Sequence, residues 1–248
     1  AAGAGCPRDL KVPGRELQGI HFAMDFLTLQ NRRCEGDLVG DDEFISAEGK
    51  HVVIIGGGDT GADCLGTVHR QGAQSVHQLE LLPEPPARRG ETNPWPEWPH
   101  IFRVTSAHEE GGERVYSVST ERFSGDPSGQ VTTLHVSKVE MTLDNGRPSF
   151  TPVPNSEFEL QADLVLLAMG FVGPKREGLI DQLGVDLTNR GNVSRDKNWM
   201  TSIKGIFTAG DMQRGQSLIV WAIAEGRSAA AGIDHYLMGE SRLPMPLP

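Results

Sequence analysis

The chain has 248 residues, 38% of them hydrophobic and 23% charged, with 30 glycines and a formal net charge of -10. That composition suits an α/β protein with many tight turns and excludes disordered and fibrous classes; the acidic balance, with Arg32-Arg33 and Arg88-Arg89 as its short basic groups, excludes a basic face for nucleic acid. Three scattered cysteines, Cys6, Cys34 and Cys64, with no C-x-x-C, exclude a disulfide framework, a metal set and a redox disulfide, and no apolar stretch approaches the roughly 20 residues that span a bilayer.

In chain order, "AAGAGCPRDLKVPG" opens without an initiator Met, in the middle of a glycine-containing turn, which reads as the start of a fragment. In "GIHFAMDFLTLQNRR" Phe22, Phe26 and Leu29 recur at helical spacing, and the polar "EGDLVGDDEFISAEGK" that follows is the best candidate boundary. Next come a strand at His51 to Ile55, a glycine turn, a helix from Thr60 to Gln71 stopped by Gly72, and an apolar strand "SVHQLELL". This is a βαβ unit with parallel strands. The loop "PEPPARRGETNPWPEWPH" cannot be a helix interior or a central strand, because its prolines remove backbone donors.

Residues 114–163 read as antiparallel. "RVYSVSTERF" and "QVTTLHVSKVEM" alternate in period two, and "SEFELQ" supplies a third strand after the Asn145-Gly146 turn signal. The continuous apolar run "ADLVLLAMGF" suits a strand covered on both faces. A short helix near Leu179 to Leu183, a strand "GIFTAGD" and a long helix from Ser217 to about Leu237, ending before Gly239, complete the chain.

Two constellations carry chemistry. Gly56, Gly57, Gly58, Asp59, Thr60 and Gly61 have G-x-G-x-x-G spacing between strand and helix. There the first glycine permits the tight turn, the second a close backbone approach to a pyrophosphate, and the third close helix-strand packing. Glu80, about 20 residues on, is placed to take ribose hydroxyls, or is a solvated strand-end carboxylate; Arg88 and Arg89 in the next loop could instead meet a 2'-phosphate. NADH and NADPH therefore both remain open. In "FTAGDMQRGQSL", Asp211 after Gly210 can bond a flavin's ribityl hydroxyls, or is a turn residue, and the helix from Ser217 offers its amides to the ring or phosphates. Trp95 and Trp98 of "WPEWP" are expected to pack on their own domain, and the eight histidines show no metal spacing.

With both constellations in view, the chain resembles the small (beta) subunit family of glutamate synthase and the matching C-terminal region of fused glutamate synthases. The resemblance rests on "PRDLKVPGRELQGIHFAMDFL", "VVIIGGGDTGADCLGTVHRQGAQSV", "LELLPEPP" with "NPWPEWP", "ADLVLLAMGF" and "AGDMQRGQSLIVWAIAEGR", from near residue 7 to near 238. It implies an α/β fold in which a Rossmann-like NAD(P)-binding domain, three-layered with an antiparallel meander, is inserted in a partial FAD-binding domain. The boundaries expected are 1–45 for a partial FAD-domain segment and linker, 46–162 for the NAD(P)H domain and 163–248 for the C-terminal FAD segment.

The resemblance places NAD(P)H on the glycine turn. It places FAD near Gly170, Gly210, Asp211, Gln216, Ser217 and Leu218. It implies an NAD(P)H-dependent flavin oxidoreductase with no side chain as acid or base, a large (alpha) subunit as partner, and a cytoplasmic location without nucleic acid or membrane. The family's N-terminal cysteine clusters and first glycine motif are not in this sequence, so the FAD site is incomplete in this chain. The alternatives are the electron-input module of another FAD/iron-sulfur oxidoreductase, such as a dihydropyrimidine-dehydrogenase-like enzyme, and a nucleotide-binding or docking module without turnover.

Overall fold

A computed structural model describes residues 2–95, 99–144 and 146–247. The chain carries β1 (Cys6–Pro7), β2 (Ile20–Phe22), α1 (Ala23–Cys34), β3 (His51–Ile55), α2 (Asp59–Arg70), β4 (Ser75–Glu80), α3 (Ser106–Glu109) and β5 (Glu113–Tyr116). It continues with β6 (Val118–Gly125), β7 (Val131–Asp144), β8 (Arg147–Pro152), β9 (Phe158–Gln161), β10 (Leu164–Leu167) and β11 (Phe171–Gly173). Three helices close it: α4 (Leu179–Leu183), α5 (Asp211–Arg214) and α6 (Ile219–Met238). Contacts divide the chain into Asp9–Met169 and a discontinuous unit made of the segment up to Arg8 with Gly170 onward.

The Asp9–Met169 unit has three layers. Its middle layer is a fully parallel sheet in the order β2-β10-β3-β4-β5. β10 lies between β2 and β3 and has every residue buried, which is why its sequence is a continuous apolar run rather than an alternating one. Along β3 successive side chains go to opposite faces. Val52 and Ile54 meet α1 and α2 through Phe26, Cys64, Leu65 and Val68, whereas Val53 and Ile55 meet Phe123, Val131, Leu134 and Val136 of the antiparallel sheet. That second sheet runs β6-β7-β8, with β9 also on β7.

Residues 9–45 were expected in the flanking domain but pack in this unit, because β2 pairs with β10 and α1 buries Ala23 and Phe26 against the parallel sheet. The single antiparallel strand expected over 114–123 is two strands in two sheets. β5 pairs parallel with β4 through Tyr116, and β6 begins the antiparallel sheet at Val118. Ser117 between them has φ 55°, a left-handed residue that redirects the chain, and its N–H bonds the Leu82 carbonyl at 3.1 Å. β8 adds a strand that was not expected, and Asn145 of the turn signal lies outside the described residues.

In the discontinuous unit β1 pairs antiparallel with β11, and Ile180, Val185 and Val193 form a small core. The expected strand "GIFTAGD" is only an isolated bridge, Met200 to Phe207, flanked by Gly205 and Gly210 at positive φ, which break the extended run. Helix α6 buries Glu225, Ser228, Ala229, Ala231 and Gly232 and exposes Ile219, Val220, Trp221 and Ile223 at its start, behind an exposed Leu218 at the N-cap, then ends at left-handed Gly239. Among the described residues no helix is long and apolar enough to cross a membrane.

Candidate functional site

The glycine turn is built by the end of β3 and the start of α2, and the fold requires two of its three motif glycines, Gly56 and Gly61, for different reasons. Gly56 has φ +129°, and a Cβ on it would fall 2.2 Å from the Ala168 carbonyl oxygen of β10's C-terminal end. A Cβ on Gly61 would fall 2.1 Å from the Gly56 carbonyl oxygen and 2.6 Å from Gln78 Nε2. Gly58, by contrast, has ordinary extended geometry at the N-cap, and a Cβ there would meet nothing within 4 Å. The protein does not fill the space beside Gly58. No side chain caps α2, so the N–H groups of its first turn remain available at the positive end of the helix dipole. Free amides beside a glycine-lined gap are donors that fit a diphosphate. Asp59 is exposed at that turn and Thr60 half-buried.

Glu80 is not merely solvated. Its Oε2 accepts from the Gly57 N–H at 2.8 Å and its Oε1 from the Leu82 N–H at 2.9 Å, so the carboxylate is fixed at the turn with lone pairs to spare for hydroxyl donors. Arg88 and Arg89 lie exposed in the following loop, where Arg89 donates to the Asn93 carbonyl at 3.1 Å. Trp95 of that loop is 82% exposed, so the expectation that it packs on its own domain is wrong. Trp98 lies outside the described residues.

In the discontinuous unit the structure joins the predicted residues in pairs. Gln216 Oε1 accepts from the Phe171 N–H at 2.9 Å and occupies the space beside Gly170, where a Cβ would fall 2.6 Å from it and the φ of +79° favours glycine. Asp211 is the first residue of α5, not a strand-end loop residue, and its Oδ1 accepts from Ser217 Oγ at 2.9 Å. Gly210, Asp211, Ser217, Leu218 and Ile219 line a cavity of about 470 Å³, into whose wall the uncapped start of α6 is built. A carboxylate with free lone pairs beside helix-start amides fits a group that carries hydroxyls and a partly negative end.

Three residues at these sites escaped the sequence reading. Glu225, wholly buried, accepts from the Gly210 N–H at 2.7 Å and pairs with Arg214, whose guanidinium stands 4.3 Å from the Trp221 ring centroid. A lone carboxylate inside "IVWAIAEGRSAAAG" was the available signal, since an apolar helix buries a charge only with a partner. Gln78, nearly fully buried, donates to the Gly56 carbonyl at 3.0 Å, and His108 Nε2 lies 3.3 Å from Gln78 Oε1. Of the thiols, burial, with Asp63 beside it, pushes the Cys64 thiol up to about 12, which leaves it inert.

Residues 1–226 match the family described as pyridine nucleotide-disulphide oxidoreductase. The chain is 60% identical over 250 residues to the glutamate synthase [NADPH] small chain of Mycobacterium tuberculosis, a match covering all of this chain and 50% of that protein. It is 45% identical to the glutamate synthase [NADH] of Schizosaccharomyces pombe over 98% of this chain and 12% of that one. The chain thus spans about half the length of the small chains it matches. Among solved structures it is similar to the Mycobacterium tuberculosis oxidoreductase FprA, with TM-score 0.68 and 16% identity over 96% of this chain and 63% of that one. It is also similar to a thioredoxin reductase of T. acidophilum, with TM-score 0.59 and 20% identity over 94% and 62% of the two chains.

Proposed function

The chain belongs to the pyridine nucleotide-disulphide oxidoreductase family, and from that premise we propose that it is the NAD(P)H-oxidising module of a glutamate synthase. In that reading the Asp9–Met169 unit takes the nicotinamide nucleotide and the discontinuous unit takes part of FAD. The observation that carries the assignment is the 60% identity with a glutamate synthase small chain along the whole of this chain. The solved complex of FprA with NADPH supports the same cofactor class on a similar fold.

Bound there, NAD(P)H would supply a hydride and FAD would take it up, so that the module would deliver electrons to the large subunit for reductive formation of glutamate from glutamine and 2-oxoglutarate. The chain's residues bind and orient. First-turn amides of α2 and the open side of Gly58 receive the diphosphate, and Glu80 offers its remaining lone pairs to the adenosine ribose. Arg88 and Arg89 are the groups able to meet a 2'-phosphate. Asp211, held by Ser217, takes flavin hydroxyls, while Gln216 fixes the Gly170–Phe171 backbone and Leu218 opens the helix whose amides face the flavin. No side chain is assigned as acid or base, since the rate comes from holding two reacting rings at the right distance. The partner is the large subunit, and the site of action the cytoplasm.

The test is anaerobic titration of the FAD-supplemented protein with NADH and with NADPH. Bleaching of the flavin absorbance by either nucleotide supports the reading. A protein that binds nucleotide and leaves flavin oxidised is instead a binding module without turnover.

A further inference from the structure

We propose that Gln78 and His108 are positioning residues for the diphosphate of the nicotinamide nucleotide, acting together through one hydrogen-bond chain that fixes the plane of the Gly56–Gly57 peptide. The inference rests on reading the glycine turn as the nucleotide site.

Gln78 and Glu80 stand two residues apart on β4 and so share one face of the strand. The Gln78 amide nitrogen donates to the Gly56 carbonyl oxygen at 3.0 Å, and Glu80 Oε2 accepts from the Gly57 N–H at 2.8 Å. That oxygen and that N–H belong to the same planar peptide unit, so both of its ends are clamped from the same strand. Its plane sets the path of the chain into Gly58 and the first turn of α2. Gln78 also fills the volume that Gly61 leaves, its nitrogen lying 2.6 Å from where a Cβ would stand.

A primary amide can clamp the carbonyl only if its nitrogen faces it. Reversed, Gln78 would aim oxygen at oxygen and leave the half-buried Gly56 carbonyl without this donor. His108 decides between the two orientations. Its Nδ1 accepts from the Thr105 N–H at 3.1 Å and lies 2.8 Å from the Thr105 hydroxyl, within the capping box that opens α3. With Nδ1 occupied as an acceptor, the ring proton sits on Nε2 and is given to Gln78 Oε1 at 3.3 Å. Burial, then the Arg114 guanidinium, push the His108 pKa below 6.5, which keeps the ring in the neutral form that this chain of donors requires. The segment leaving the Pro-Trp loop is thereby tied to the phosphate turn.

The experiment is calorimetric titration of the purified chain with ADP-ribose, which carries the diphosphate and adenosine without redox chemistry. His108→Phe and Gln78→Leu are each expected to weaken binding about fivefold, and the double variant about as much as one of them, because both break the same chain. His108→Gln, whose amide can still donate to Gln78, is expected to stay within about twofold of wild type, and the Gly57 amide resonance that moves in His108→Phe returns toward its wild-type position. Binding by His108→Phe as tight as wild type, or equal losses in His108→Phe and His108→Gln, overturns the proposal. Failure of the wild-type chain to bind ADP-ribose overturns the nucleotide reading of the turn instead. Should Gln78→Leu not fold, the His108 pair, on a half-buried turn, decides alone.

Discussion

At Gly61 the absence of a side chain is a packing requirement. An alanine there would put its Cβ against the Gly56 carbonyl and the Gln78 amide at once, neither of which has anywhere to go. Gly61→Ala is therefore expected to destabilise the fold by about 2 kcal/mol, within the usual range for overpacking, read as a lowered midpoint in urea unfolding. His21 and His108 give a second prediction. Burial is the largest cause that pushes each below 6.5 in the folded chain. The unfolded chain then binds more protons just below pH 6.5, so the stability these groups contribute is complete above that pH and is lost as pH falls through their folded-state values. Thermal melts between pH 7 and pH 5 should show a falling midpoint, and His108→Gln should shallow that fall; an unchanged slope contradicts the assignment.

Helices and strands differed in how plainly their sequences marked them. β3, α2, β4 and β10 were legible because short apolar runs bounded by turn signals, a glycine turn and a helical period follow one another in an order that only a βαβ arrangement satisfies. The break at Ser117 was not, since alternation reads the same on both sides of it and nothing local says that Tyr116 and Val118 belong to different sheets. "GIFTAGD" misled in the other direction: apolar and β-branched, it has no pairing partner beyond one bridge. The sequence motifs located the glycine turn and the Asp211 segment, but not the groups that brace them, because Gln78 with His108, and Gly210 with Glu225, are brought together by tertiary folding across 30 and 15 residues. The Glu225 brace belongs to this scale because it ties α6 to the loop entering α5. Glu225→Ala leaves the Gly210 amide and Arg214 without their buried acceptor and is expected to cost about 3 kcal/mol, the low end for a broken buried pair, since Arg214 keeps about a third of its surface in water. Chemical denaturation of the variant measures it.

Across the whole molecule, the pattern is one unit built on a parallel sheet with its glycine turn, and a second, discontinuous unit carrying the Asp211 cavity. At its start α6 leaves Ile219, Val220, Trp221 and Ile223 exposed. The division of ligands between the units depends first on the glycine turn being the nicotinamide site. Gly58→Ala tests this most directly, because its added methyl meets no protein atom and φ there is ordinary, so the fold has no reason to lose stability. Titration with NADPH and NADH should show Gly58→Ala weakened at least tenfold relative to wild type, with an unchanged melting midpoint, as the methyl intrudes where the diphosphate must approach. Undiminished nucleotide binding by Gly58→Ala would contradict the account.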